Sequence, residues 1–500
     1  METLEQVDPR YPSLHMRLEK FRAFGDSGRF RLAPLSCIVG PNSSGKSSII
    51  TALLLLKQSL EQDVLSSRVS PLVLSGPYCD LGRYTDVVHG HDKEADMGFT
   101  FSIPFGALRR TWEEPPIVTL EIPQTPLYHY PFYFFPHGET VSLPTRGNVD
   151  LRLSFAIDEP FGPSLSGMDI KVDDVGMARF VRTIRGARRQ HWRVYTSNLP
   201  SQSLALRFHP SMFFPHVQTR ESAYRKAGPR VKRRIKQFLY ASRSCLMYLQ
   251  NLLAKSAVIG PFRTPPERRY SFAGFSSTRG GPSGERAIDL LITEELLKAP
   301  GHPLQEAISF WLHHLNLAKG VSVRDIAKGA NLFAVDLAGV GQRSEANLAD
   351  VGYGISQVLP VLVQGLLMLP GGIYMVQQPE IHLHPDAQAG LADFFLYLCS
   401  KGVRTVIETH SEYFLIRLRR RLAERKLMLK RGPLTQQDTT IPIGIEDVAI
   451  LLTSIDRRTG GVVKELEIGK SFQFENLPRG FMSQAVEDRI ALLKAVGRRS

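Results

Sequence analysis

Cysteine is scarce: Cys37, Cys79, Cys245 and Cys399 are the four in 500 residues, and no Cys-x-x-Cys pair occurs. That excludes a disulfide framework and a cysteine-built zinc site, and it fits a reducing cytoplasm. Long apolar runs are missing as well. The best candidate, Val358 to Val376, is interrupted by Pro360, Gln364, Pro370, Gly371 and Gly372, so it predicts a helix, a turn and a strand rather than a membrane span. The first residues carry Glu2, Glu5 and Asp8 without an apolar stretch, so no secretory leader is expected. Repeats and low-complexity tracts are absent, which excludes solenoids and disordered tails of biased composition. Acidic residues are in deficit: 48 Asp and Glu against 62 Lys and Arg leave a net charge of +14. Such a balance is compatible with a nucleic-acid or other polyanionic partner without establishing one. An apolar fraction of 43% and a charged fraction of 22% suit a soluble globular protein. The length allows about three domain-sized units.

What the chain does have is Gly40-Pro41-Asn42-Ser43-Ser44-Gly45-Lys46-Ser47, a match to G-x-x-x-x-G-K-[ST]. Gly40 and Gly45 let the backbone curl so that its N–H groups converge on phosphate oxygens. Lys46 is placed for the β- and γ-phosphates, and the Ser47 hydroxyl for Mg²⁺. Leu35 to Val39 reads as a buried strand entering the loop, and Ser48 to Leu56 as a helix whose N-terminus faces the phosphates. Nucleotide binding follows, with Mg²⁺ at the Ser47 hydroxyl.

Around this loop the chain divides into an N-terminal half of a nucleotide-binding head (1–115), an insertion (116–255), a C-terminal half of the head (256–430) and a small C-terminal subdomain (431–500). Short alternating runs at 14–18 and 29–32 predict strands, with a turn at Gly25 to Gly28 between them. The insertion is rich in Pro, Phe and Tyr and predicts antiparallel strands followed by a helix of about two dozen residues ending near Lys255. It carries Arg179, Arg182, Arg185, Arg188, Arg189 and Arg193 near Phe180 and Trp192, and then Arg225, Lys226, Arg230, Lys232, Arg233, Arg234 and Lys236. Basic residues among aromatics suit a DNA or RNA surface; solvated strand and helix faces explain them equally well. A hairpin is expected around Thr459-Gly460-Gly461, and a terminal helix from about Gln484.

A P-loop needs a second strand that delivers acid to Mg²⁺ and water. The candidate is Ile373 to Val376, ending in Gln377-Gln378-Pro379-Glu380-Ile381-His382-Leu383-His384. A further strand, Thr405 to Ile407, ends in Glu408-Thr409-His410-Ser411. Upstream, Gly352-Tyr353-Gly354-Ile355-Ser356-Gln357 heads a helix, itself a potential anion site.

In this order the motifs resemble the prokaryotic AAA-type ATPases built on an ABC-class head, akin to RecF, the structural-maintenance-of-chromosomes heads and the overcoming-lysogenization-defect proteins. Gly260-Pro261-Phe262-Arg263, Glu408 to Glu412 and Leu477-Pro478-Arg479-Gly480-Phe481 resemble the subfamily that ends in a C-terminal domain of unknown function. The resemblance implies an α/β ABC-class P-loop NTPase head with a mixed central sheet, a β-rich and helical insertion and a small α+β C-terminal subdomain. It implies that Gly40, Asn42, Gly45, Lys46, Ser47 and Ser48 form the phosphate and Mg²⁺ site. Gly354, Ser356 and Gln357 then lie where a signature caps the γ-phosphate of a partner subunit, and His410 where a switch histidine sits. A homodimer through ATP-sandwiched heads follows, with a separate effector protein, DNA maintenance or antiphage defence as further implications.

The chain departs from that pattern where it matters for turnover. Gln377 stands where an acid is usual and Gln378 where a catalytic glutamate is usual. A carboxamide cannot take a proton from water at pH 7. Glu380 or Glu408 is the candidate stand-in, and a structural carboxylate is the alternative for both. Slow hydrolysis is expected, abolished by Lys46→Ala and raised by Gln377→Glu; a hydrolysis-deficient scaffold is the alternative. His382 and His384 have no third ligand nearby in sequence, so no transition-metal site is expected.

Overall fold

The computed structural model describes residues 12–61, 72–108, 146–158, 162–185, 189–201, 204–207, 214–272, 274, 281–298, 301–327, 331–339, 344–431, 443–456 and 458–475. Twenty strands and nine α-helices are labelled here. The strands are β1 (Leu14–Phe21), β2 (Phe24–Asp26), β3 (Phe30–Leu32), β4 (Leu35–Val39), β5 (Met97–Pro104), β6 (Asn148–Asp158), β7 (Gly162–Val172), β8 (Gly176–Arg185), β9 (Arg189–Ser197), β10 (Leu204–Arg207), β11 (His216–Thr219), β12 (Ala257–Ile259), β13 (Tyr270–Ser271), β14 (Gly320–Ala327), β15 (Leu332–Ala338), β16 (Glu345–Asn347), β17 (Ile373–Gln377), β18 (Arg404–Glu408), β19 (Val448–Asp456) and β20 (Gly460–Leu466). The helices are α1 (Lys46–Glu61), α2 (Tyr84–Val87), α3 (Glu221–Lys226), α4 (Pro229–Ala254), α5 (Ala287–Leu296), α6 (Pro303–His314), α7 (Tyr353–Leu366), α8 (Pro385–Ser400) and α9 (Glu412–Arg431).

One large mixed sheet organises the molecule, in the order β12-β17-β18-β4-β19-β20-β2-β1-β5-β6-β7-β8-β9 with β3 beside β1. From β12 to β19 the neighbours are parallel; from β19 onward they are antiparallel. β12, β17, β18 and β4 are buried at nearly every position because both faces are covered. Their two-residue period sorts side chains into two cores. Ile38, Met375, Val406 and Leu451 join α1 and α4 on one side. Cys37, Val376, Ile407 and Ile450 join α5 to α9 on the other.

The predicted strand–loop–helix around Gly40 is observed, as are the hairpin at Thr459-Gly460 and the helix, turn and strand of 353–377. Two segments belong to the main sheet although the sequence sets them apart. β6 to β9 of the insertion continue it antiparallel from β5, and β19, assigned to a C-terminal subdomain, pairs in parallel with the P-loop strand β4. The terminal helix expected from Gln484 and the Leu477 to Phe481 motif lie outside the described residues. Among the described residues no helix is long and apolar enough to cross a membrane.

Candidate nucleotide site

Parallel pairing brings the C-terminal ends of β4, β17, β18 and β12 to one edge of the sheet, and the sequence places its polar motifs there. The loop after β4 needs glycine. Gly40 has φ of +142°, and a Cβ on it would lie 2.4 Å from the Thr453 carbonyl oxygen. Gly45 has φ of +98°, with the Phe24 ring 2.9 Å from where its Cβ would be. The loop delivers the chain into α1, sixteen residues whose N-terminal dipole faces the loop. Lys46 is buried and donates to the carbonyls of Gly40 at 3.1 Å and Pro41 at 2.8 Å. Burial lowers its pKa, opposed by the nearby Glu408 charge. Ser44 Oγ lies 2.6 Å from Thr453 Oγ1 and donates to Pro41 at 2.7 Å, so β19 walls the loop. Asn42 and Ser43 are exposed on the loop, and the Ser48 N–H closes the first turn of α1 on the Gly45 carbonyl.

The acid beside the loop comes from β18. Ser47 Oγ donates to Glu408 Oε1 at 2.9 Å, and Gln377 Nε2 donates to Glu408 Oε2 at 2.9 Å. Gln377 and Glu408 are direct partners in the parallel register of β17 and β18. Gln378 has φ of +47°, and its N–H is tied to the Glu408 carbonyl at 2.7 Å. Glu380, buried, accepts the His410 backbone N–H at 2.6 Å, while its Oε2 has no hydrogen-bond partner among the described residues. Burial pushes the Glu380 carboxyl up. Burial and the Lys46 ammonium push the His410 imidazole down, against the pull of Glu408.

Gly354 lies at the N-terminus of α7, where a Cβ would meet the His382 carbonyl oxygen at 2.5 Å. The helix is capped by Gly352, with Gly352 and Tyr353 exposed. Ser356 and Gln357 are buried one turn in. The Ser356 hydroxyl donates to the Tyr353 carbonyl at 2.8 Å, and Gln357 Nε2 has no partner among the described residues. His384 caps α8 through its ring, and the His382 ring lies edge-on to Tyr353. Among the described residues no group of three or more His, Cys, Asp or Glu could hold a metal ion on its own.

Sequence reasoning quotes Arg263 without assigning it a role. It is buried and donates to the carbonyls of Gln357 at 3.1 Å, Gln377 at 2.9 Å, Gln378 at 3.0 Å and Gly260 at 3.2 Å. It thereby joins α7 to the end of β17. Thr453 was missed because it is distant in sequence from the loop it walls.

The basic residues of the insertion divide. Arg179 is ion-paired with Asp169 at 3.1 Å and Arg152 with Glu19 at 2.7 Å across the sheet, and Arg182 donates to Ser164 Oγ at 2.6 Å. Arg230, Arg233 and Arg234 are exposed at the start of α4, whose first turn has no acid. Arg188 and the side chains of Arg185 and Arg189 lie outside the described part of the structure.

Residues 243–417 match the family model described as "AAA domain, putative AbiEii toxin, Type IV TA system". No curated protein matches the chain. Among solved structures, an Smc head bound to the C-winged helix domain of ScpA is similar at 12% identity and a TM-score of 0.39, covering 91% of this chain and 98% of that one. The SMC head domain of Thermotoga maritima gives 11% identity and a TM-score of 0.34, with 91% and 99% covered. An Smc head with an extended coiled coil, bound to the C-terminal domain of ScpA derived from Pyrococcus furiosus, gives 11% and 0.38, with 96% and 98% covered. Residues 243–417 are thus similar to an AAA-type domain, and the mixed sheet sets β4, the strand that enters the glycine loop, between β18 and β19.

Proposed function

We propose that the chain binds ATP with Mg²⁺ in the loop at Gly40 to Ser48 and that two copies close on the bound nucleotides. The observation that carries this is the loop itself. Two glycines in positive-φ conformations, a buried lysine at the mouth of a sixteen-residue helix and a serine facing a carboxylate form one anion site. The Ser47 hydroxyl and a carboxylate beside it are hard oxygen donors of the kind Mg²⁺ takes, and nucleotide phosphates complete such a shell. Magnesium supplies charge neutralisation on the phosphates when bound. Lys46 holds the phosphate chain, and the exposed N-terminus of α7 at Gly352 to Gly354 is offered to the nucleotide of the second copy. The closed pair acts on a DNA or protein partner, in prokaryotic defence or genome maintenance.

Turnover is slow in this reading. Gln377 and Gln378 carry no basic group, and Glu380 is turned toward a backbone N–H rather than an open face. Those glutamines favour a second reading, in which the closed pair is a nucleotide-gated scaffold for a separate effector. Solution mass and phosphate release with and without Mg·ATP separate the outcomes. A doubled mass with slow, Lys46-dependent release supports the ATPase; a doubled mass with no release supports the scaffold. An unchanged mass at saturating ATP contradicts the two-copy closure.

A further inference from the structure

We propose that Glu408 is the carboxylate of the Mg²⁺ site, so that the acid normally delivered by the strand of Gln377 has moved one strand over. The proposal rests on the nucleotide reading above. P-loop magnesium is held by the loop's hydroxyl, by an acid close to that hydroxyl, and by phosphate oxygens. At the end of β17 both candidate positions are neutral glutamines. β18 lies between β17 and β4, so a side chain from its last residue spans the gap to Ser47. Glu408 does so, with one oxygen on the Ser47 hydroxyl and the other on the Gln377 carboxamide, each at 2.9 Å.

The pairing explains why residue 377 is an amide. An acid there would stand against the Glu408 carboxylate, and like charges at hydrogen-bond distance disfavour joint ionisation. As a carboxamide, Gln377 donates instead and fixes the orientation of Glu408. Two donors on its two oxygens hold the carboxylate facing the Ser47 hydroxyl, an arrangement that suits a ligand better than a base directed at water. Gln377 and Glu408 are therefore an exchanged pair, neutral and acidic in swapped places. The expectation that Gln377→Glu alone raises hydrolysis changes accordingly: the acid must be restored on β17 while Glu408 is neutralised.

The test uses the full chain and reads metal rather than turnover. ATP affinity is measured by calorimetry in EDTA and in Mg²⁺, and Mn²⁺ uptake with ATP by electron paramagnetic resonance, with melting temperature as the check on folding. For the wild type we expect divalent cation to strengthen ATP binding about tenfold or more, for Glu408→Gln most of that gain to vanish, and for the Gln377→Glu, Glu408→Gln double variant the gain to return to within about threefold. A full divalent gain in folded Glu408→Gln overturns the assignment. A double variant that folds yet stays as deficient as Glu408→Gln overturns the exchange of roles between positions 377 and 408. Failure of the wild type to bind ATP even in EDTA instead overturns the nucleotide reading beneath it.

Discussion

Glu380 accepts the backbone N–H of His410 at 2.6 Å, stitching the loop after β17 to the loop after β18. The two residues are thirty apart in sequence and meet because their strands are parallel neighbours. Glu380 therefore acts on the site through His410, whose imidazole shares the field of Lys46 and Glu408.

Substitution at Glu380 separates its charge from its hydrogen bond. Burial raises the Glu380 carboxyl above its ordinary 4.5, so the folded chain holds this proton more tightly than the unfolded chain. The fold is then destabilised progressively as pH rises above about 4.5, with the full deficit reached above the folded value. Glu380→Gln keeps an acceptor and removes the charge. It should melt above the wild type at pH 7, and the gap should close on acidification. Glu380→Ala orphans the His410 N–H and should cost about 1–3 kcal/mol. Thermal melts of both variants across pH check this, and a Glu380→Gln melting below wild type at pH 7 contradicts it.

Arg263 joins α7 to β17 through carbonyls alone, a task suited to a planar fork with five N–H donors. Lysine has one ammonium and cannot reproduce that spread. Arg263→Lys should therefore lose about 2–4 kcal/mol of stability, the scale of breaking buried charge-assisted bonds. Denaturant melts measure the loss. A Lys variant as stable as wild type would mean that the four contacts contribute little.

Asp393, on α8, accepts from His314 on α6 and from Arg417 and Arg421 on α9. Burial opposes its ionisation, but the bonds from His314, Arg421 and Arg417 outweigh it and hold the carboxyl well below the usual range. A depressed carboxyl contributes stability that is present above its unfolded value, near 3.8, and is lost as pH falls further. Asp393→Asn should cost about 2 kcal/mol at pH 7 by taking the charged acceptor from the half-buried Arg417 and Arg421, and the difference from wild type should shrink below about pH 4. Urea unfolding at the two pH values reads both effects.

Much of the site was legible because its signals are local. Strand, glycine loop and helix are contiguous from Leu35 to Glu61, and the hairpin of β19 and β20 is announced by Thr459-Gly460-Gly461. What could not be read depends on strand order. The contact of Glu408 with Ser47 spans 361 residues, and that of Ser44 with Thr453 spans 409. The arginines of β8 look like a free basic surface in sequence, yet Arg179 meets Asp169 only through the antiparallel register of β7 and β8. Alternation in β6 to β9 marks them as strands but carries no information on which sheet edge they join.

Isothermal titration of the full chain with Mg·ATP, beside Lys46→Ala, tests most directly whether the loop at Gly40 to Ser48 is a nucleotide site. One ATP per chain is expected to bind with a micromolar-scale Kd, about −8 kcal/mol, and Lys46→Ala should weaken it by at least about tenfold. No heat from the wild type, or equal binding by the folded Lys46→Ala chain, contradicts a nucleotide held by this loop.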